Sequence, residues 1–142
     1  MQVITTKKDW SAYNTALVFQ EILEEKKMSN LAEWIEKSAL DEARKWEAER
    51  LSKTKARKFY SEVKRIQRKL ETIGDTKFQE LLPEIKLIIP KAVYDSNRSG
   101  NRLPNSVKDF IQTNVTAIKN AKDFNEFAMK FEAVIGFARL NN

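Results

Sequence analysis

The chain reads as an all-α protein, a compact bundle of about five or six helices around a long central basic helix. Three observations carry this. Breakers are scarce, with three Gly and three Pro in 142 residues, while 42% of the chain is hydrophobic and 32% charged. Apolar residues recur at helical three- and four-residue steps along most of the chain. The stretch from Ser52 to Gly74 carries its own start, buried stripe and stop. The length suits a single domain, 1–142, with one real core.

Residues 1–8 read as a loose start. Asp9 is placed to cap a helix from Trp10 to about Met28, whose broad apolar side holds Tyr13, Ala16, Leu17, Phe19, Ile22 and Leu23. Ser29-Asn30 is expected to break it, and Asn30 with Glu33 has capping-box spacing. A second helix runs from Leu31 to about Leu51, with Leu31, Trp34, Ile35, Ala39, Ala43 and Trp46 inward. Trp34 and Trp46 read as core or interface residues rather than stacking platforms for bases. No Gly or Pro separates this helix from the next, so the two either merge or bend near Ser52. An overlong helix would leave apolar surface for a partner chain and favour helix exchange in a dimer.

In the central helix, Ala56, Phe59, Val63, Ile66, Leu70 and Ile73 fall on one stripe. Ser52 is its N-cap, and Gly74 takes a left-handed conformation past the last turn. Asp75 is expected to cap a short helix containing Phe78, Leu81 and Leu82. Pro83 and Pro90 sit best in a helix's first turn, giving pieces at about 76–89 and 90–98. The polar segment Asp95–Asn105 reads as a loop carrying Arg98 and Arg102. Pro104 or Asn105 starts a helix to about Asn120 with Val107, Phe110, Ile111, Val115 and Ile118 inward. Asp123 caps the last helix, to about Arg139, with Phe124, Phe127, Phe131, Val134, Ile135 and Ala138 as its core stripe.

The charge is concentrated. The chain's formal net charge is +6, and its pI near 9.5 suits nucleic acid or an acidic membrane surface. Residues 52–74 hold eight basic side chains against Glu62 and Glu71, a surplus equal to that of the whole chain. At about 100° per residue, Arg57, Lys64 and Arg68 lie opposite the apolar stripe, and Lys58, Arg65 and Lys69 form a row on one flank. Like charges at i,i+4 repel, so these rows face either a polyanion or bulk solvent. Tyr60 among them can stack on a base. No base-reading arrangement is evident, so contact through the backbone is expected.

Other chemistry finds little support. With no His and no Cys, the commonest general base, the commonest metal ligand and thiolate sites are absent from the sequence. The three Gly, at 74, 100 and 136, form no phosphate loop. Glu24-Glu25 and Asp41-Glu42 read as solvated, and Tyr60 and Tyr94 as packing or stacking groups rather than proton donors. The N-terminus has no signal-like apolar run, and the longest aliphatic run, Leu87-Ile88-Ile89, cannot span a bilayer. A cytoplasmic protein, not an enzyme and without cofactor or metal, is expected.

Three blocks resemble a known family. Leu51-Ser-Lys53-Thr-Lys-Ala-Arg57-Lys58-Phe-Tyr60 resembles the opening of the central helix in the Csm small subunit of type III-A CRISPR effector complexes. Leu87-Ile-Ile-Pro90-Lys91-Ala-Val-Tyr94-Asp-Ser-Asn-Arg98 resembles its proline segment, and Phe124, Phe127 and Phe131-Glu-Ala-Val-Ile-Gly-Phe137 its closing helix. The blocks stand in the family's order, whereas residues 1–50 share only helical character. The resemblance implies a non-catalytic helical bundle. Its copies stack in the spine of the complex along the guide RNA–target RNA duplex and touch mainly the target backbone. Cleavage and signalling then belong to other subunits. Arg57, Lys58, Lys91 and Arg98 carry over by motif. Lys64, Arg65, Arg68 and Lys69 follow from helical geometry, and Lys53, Tyr60 and Arg102 complete the candidate set. Arg98 is either RNA-facing or a buried pairing residue. The expected partners are guide RNA and target RNA, other subunits of the complex, and further copies of the chain as a dimer or filament, with no membrane. The alternative is a helical scaffold whose basic face binds an acidic protein. A metal-dependent nuclease would need carboxylates that converge in space, and nothing in the sequence argues for that.

Overall fold

The computed structural model describes residues 7–141, and of residues 7–13 and 24–29 the backbone alone. The described residues are helical, without a β-strand: α1 (Lys7–Glu33), a π turn (Trp34–Ser38), α2 (Ala39–Ala48), α3 (Lys53–Ile73), a 3₁₀ turn (Asp75–Lys77), α4 (Phe78–Lys86), α5 (Ile88–Asn97), α6 (Asn105–Thr116) and α7 (Ala121–Phe137). This is the all-α bundle the sequence predicts. Residues 1–6 of the expected loose start lie outside the described residues, while Lys7, Lys8 and Asp9 are already inside α1.

The expected break at Ser29-Asn30 does not occur, because α1 runs through it. Ser and Asn weaken a helix by only about 0.5 kcal/mol each relative to Ala, too little to end one without Gly or Pro. The interruption comes later and is milder. At Trp34–Ser38 the amide of Ala39 donates to the Trp34 carbonyl, a five-residue step that inserts one residue and lets α1 and α2 continue as one rod.

The α2 and α3 helices do not merge. Leu51 N–H donates to Trp46 O and Arg50 N–H to Glu47 O, each at 3.0 Å, while Arg50 takes φ 64°. These are the two bonds of a Schellman stop, and the buried Leu51 supplies its apolar contact. Ser52 then accepts from Lys55 N–H at 3.2 Å and starts α3 as expected. At the other end Gly74 combines φ 85° with ψ 159°, a region glycine alone enters readily.

Several boundaries shift for identifiable reasons. Asp75 makes no capping bond and opens a 3₁₀ turn instead. Pro83 lies in the second turn of α4, not the first, whereas Pro90 is the third residue of α5, where its missing N–H costs nothing. The α5 helix continues to Asn97, so Asp95 and Ser96 are buried helix residues and not loop. The α6 helix stops at Thr116 because the Lys86 ammonium donates to the carbonyls of Val115, Thr116 and Ile118, at 2.7, 3.0 and 2.8 Å. The cap of α7 is Asn120, which accepts from Asp123 N–H at 2.8 Å, while Asp123 accepts from Lys119 N–H at 3.0 Å.

The core lies where α2, α3, α6 and α7 meet. Trp46, Phe124 and Phe131 are fully buried, and the Phe110 and Phe131 rings stand edge-on to Trp46 at 5.4 and 5.8 Å. Trp34 is half-buried and packs beside Phe110 at 6.0 Å, so Trp46 is a core residue and Trp34 lies at the core's edge. Residues 14–23 of α1, by contrast, are all exposed, including Leu17, Val18, Phe19, Ile22 and Leu23.

One polar knot crosses this core's edge. The Asp95 carboxylate is 1% exposed and accepts from Lys55 at 2.9 Å and Lys58 at 3.0 Å. Its other oxygen accepts from Leu103 N–H at 3.0 Å. Lys55 is itself buried. Asp95→Asn would strand that ammonium, so it should cost about 3 kcal/mol in urea unfolding. Lys69→Ala, which loses a half-exposed pair with Glu84, should cost under about 1 kcal/mol. Equal losses in the two variants would contradict the ranking.

Candidate nucleic-acid interface

The α3 helix presents four sides, and the protein treats each differently. Inward, Ala56, Phe59, Val63, Ile66 and Leu70 are buried. Lys55 shares the edge of that stripe, and Asp95 neutralises it.

Toward α4 and α5 the flanking row meets carboxylates. Lys58 reaches Asp95. Arg65 reaches Glu62 and Glu84, each at 2.8 Å. Lys69 reaches Glu84 at 3.1 Å, and Lys91 of α5 reaches Glu62 at 3.0 Å. Toward α7, the Tyr60 hydroxyl donates to Glu132 at 2.9 Å. The Lys64 ammonium lies 3.5 Å from Glu132 and 5.5 Å from the Tyr60 ring centre. Tyr60 also stacks on Phe131. Burial and the neighbouring Glu132 raise its phenol pKa above the ordinary value.

The fourth side is outward. Lys53, Arg57 and Arg68 are exposed, and their side chains make no hydrogen bond or ion pair among the described residues. Arg98 and Arg102, in the turn after α5, are likewise exposed and unpaired, so Arg98 is not a buried pairing residue. The eleven candidates thus divide: five are free, and Lys58, Tyr60, Lys64, Arg65, Lys69 and Lys91 are held by carboxylates from the bundle.

The sequence reading missed the role of Lys55, though its angular position beside the apolar stripe was a usable signal. It also missed Arg50 and Arg139. They come together only because the C-terminal tail returns to the α2–α3 turn, where Lys53 N–H donates to Asn141 O at 3.1 Å. Among the described residues no group of His, Cys, Asp or Glu could hold a metal ion. No helix among them is long and apolar enough to cross a membrane. Asp41 is exposed as expected, whereas Glu42 accepts from the Trp46 indole at 3.0 Å; the Glu24 and Glu25 side chains lie outside the described residues.

The flank has an acid signature. Hydrogen bonds from Arg65 and then Lys91, against some burial, bring the Glu62 pKa from 4.5 down to about 2. Arg65 and Lys69 lower that of Glu84 in the same way. At Asp95, burial pushes upward, but the Lys55 and Lys58 hydrogen bonds outweigh it and the net shift is downward. A lowered folded-state pKa means stability that is present above the unfolded value and lost as pH falls through the folded one. Glu62→Gln should therefore be less stable than wild type by on the order of 2 kcal/mol above about pH 5. The difference should close between about pH 4.5 and 2, as read from urea midpoints at stepped pH. A gap that stayed constant would refute the assignment.

No curated protein and no solved structure matches the chain. The model of the family described as Csm2 Type III-A does, over residues 25–142. That span takes in α3 with its four sides, the Asp95 knot and the closing phenylalanine helix. The chain belongs to the Csm2 Type III-A family, the structural small subunits of the type III-A CRISPR effector complex.

Proposed function

We propose that the chain is a non-catalytic RNA-binding subunit that stacks along the guide RNA–target RNA duplex and touches the phosphate backbone through the outer side of α3. The observation that carries this is the division of charge on that helix. The bundle neutralises the flank row with carboxylates from α3, α4 and α5, yet leaves Lys53, Arg57 and Arg68 in solvent without a partner. The same side offers the hydroxyls of Thr54, Ser61 and Thr72, with Tyr60 at its margin in the cleft it shares with Lys53 and Arg57, which suits phosphate and sugar more than base edges. Lys64, half-buried beside Glu132, serves at the margin of this face.

Each cation on a single-stranded backbone adds about −0.7 to the log–log salt slope. The double variant Arg57→Glu/Arg68→Glu should therefore lose about tenfold or more in affinity for single-stranded RNA and show a slope shallower by about 1.4. Anisotropy titrations across a salt series measure both, with circular dichroism to confirm unchanged helicity. Wild-type affinity in this variant would exclude the face. Retention of an acidic protein but no RNA would favour the scaffold reading instead.

Self-association belongs to the same proposal. Val18, Phe19, Ile22 and Leu23 cover about 140° of α1 at 100° per residue and are exposed. Such a patch fits another copy of the chain, as a stacked spine requires. Phe19→Asp/Ile22→Asp should lower the weight-average mass in sedimentation while leaving RNA affinity per protomer unchanged. A wild-type chain that is monomeric at high concentration would remove this part.

A further inference from the structure

Beyond the α3 face lies a second concentration of unpaired cations, on elements the sequence reading did not join. The cleft between the α2–α3 turn and the C-terminal tail has a volume of about 550 Å³ and is lined by Glu47, Arg50, Ser52, Asn101, Arg139 and Asn141, with Leu51 at its base. We propose that this cleft seats a phosphate of the bound RNA, with Arg50 and Arg139 as its ligands. The proposal rests on the RNA-binding reading above and extends the RNA path past the N-terminal end of α3.

Both arginines stand on pinned backbone. Arg50 occupies the left-handed position of the Schellman stop, fixed by its own N–H on Glu47 O and by the next N–H on Trp46 O. Arg139 N–H donates to the Glu47 carboxylate at 2.9 Å, and two residues later Asn141 O accepts from Lys53 N–H. Neither guanidinium has a hydrogen bond of its own among the described residues. The backbone that carries them is therefore set before a ligand arrives, which limits the ordering that binding requires to the two side chains.

The residue type at position 50 points the same way. A stop at φ 64° is met with least strain by Gly or Asn. Arginine there bears backbone strain and gains nothing from the helix stop that Gly would not supply. A ligand for its side chain accounts for the choice.

The charge balance favours an anion. Among the described residues Glu47 is the one carboxylate on the cleft, and Arg44 bonds it at 2.6 Å. That bond, with the Arg139 amide, lowers the Glu47 pKa. Arg44 bonds Glu47 and Arg139 attracts it as well, so with Arg50 three arginines share this one carboxylate and a positive surplus remains. Glu49 is turned away, bonded to the amide and hydroxyl of Ser106 on α6. Ser52, Asn101 and Asn141 add neutral donors at the rim.

The tail joins this cleft to the α3 face. It is extended at Ala138, so successive side chains point to opposite sides. Arg139 and Asn141 line the arginine cleft, while Ala138 and Leu140, with Ala56 and Ile135, floor a neighbouring cleft of about 400 Å³ rimmed by Lys53 and Arg57. A strand held at Arg57 and Lys53 thus meets an apolar floor and then the second phosphate seat.

The test uses the full chain and a short single-stranded oligouridine. Arg50→Gly/Arg139→Gln keeps the backbone bonds and relieves the strain at 50, so its thermal midpoint should equal or exceed that of wild type. Its RNA affinity should fall about tenfold and its salt slope flatten by about 1.4. The side-chain amide signals of Asn101 and Asn141 should shift on adding RNA to wild type. If this variant binds like wild type while Arg57→Glu/Arg68→Glu is impaired, the arginine cleft is overturned alone. If both variants bind like wild type, the RNA reading falls and the cleft with it.

Discussion

The buried Asp95 carboxylate sets the orientation on which the rest depends. It takes one ammonium group, that of Lys55, and an amide out of water at one point, and draws the half-exposed Lys58 ammonium to the same oxygen. Burying the two charges of Asp95 and Lys55 is costly, and a well-packed apolar cluster of the same volume would be about as stable or more so. What the knot supplies is direction. A turn of α3 by one residue, about 100°, would carry Lys55 off Asp95 and leave a buried ammonium unpaired. The same turn would swing Arg57 and Arg68 out of the outer face. The buried stripe and the Lys55–Asp95 pair thus hold α3 in one rotation about its axis, and with it the identity of the solvent-facing cations.

That constraint resolves the apparent electrostatic excess of α3. Counted along the chain, eight cations against two acids make a self-repelling helix. In the fold, Glu84 receives both Arg65 and Lys69, an i,i+4 pair that would otherwise repel. Glu62 binds its own Arg65 together with Lys91 of α5. The flank row thereby fastens α3 to α4 and α5. Arg57 and Arg68, the free pair, are eleven residues or about 16 Å apart along the axis. That exceeds the screening length of about 8 Å at physiological salt, so their mutual repulsion is slight. The third free cation, Lys53, stands four residues from Arg57, and that i,i+4 pair costs the helix only about 0.2–0.5 kcal/mol.

The parts legible in the sequence were those set by local pattern. The α3 stripe, the Ser52 cap, the positive φ at Gly74 and the phenylalanine face of α7 each depend on residues a few positions apart. The parts that were not legible depend on distant partners. Asp95 sits in a run of turn-forming residues, and only Lys55 and Lys58, some forty positions away, make it a buried helix residue. The end of α6 was misjudged because the group that caps it, Lys86, lies on α4. Asp123 resembled a cap by type, yet Asn120 holds the position because its own amide oxygen reaches the third N–H. Within the site, angular position alone placed Arg57 and Arg68 outward correctly. It placed Lys64 outward with them, whereas Glu132 of α7 holds it, and it gave Arg65 and Lys69 a flank row without their Glu84 partner, since both pairings are tertiary. Arg50 and Arg139 were invisible for the same reason.

The division of labour has a consequence for how such a subunit would hold RNA. Three free cations on α3, at about −0.7 in salt slope each, make a weak single-copy binder. Copies side by side on one strand convert each later contact into an intramolecular one, so modest faces add to a tight assembly. That gain requires the copies to be held in register, and cations that face solvent cannot do so themselves. The exposed apolar residues of α1 can, and they are well separated in kind from the cationic face. Residues 17–23 lie ahead of residue 25, where the family match begins, whereas α3 and the Asp95 knot lie wholly within it. On the proposed reading, the matched region carries the contact with RNA, and the projecting arm adds what spaces one copy from the next.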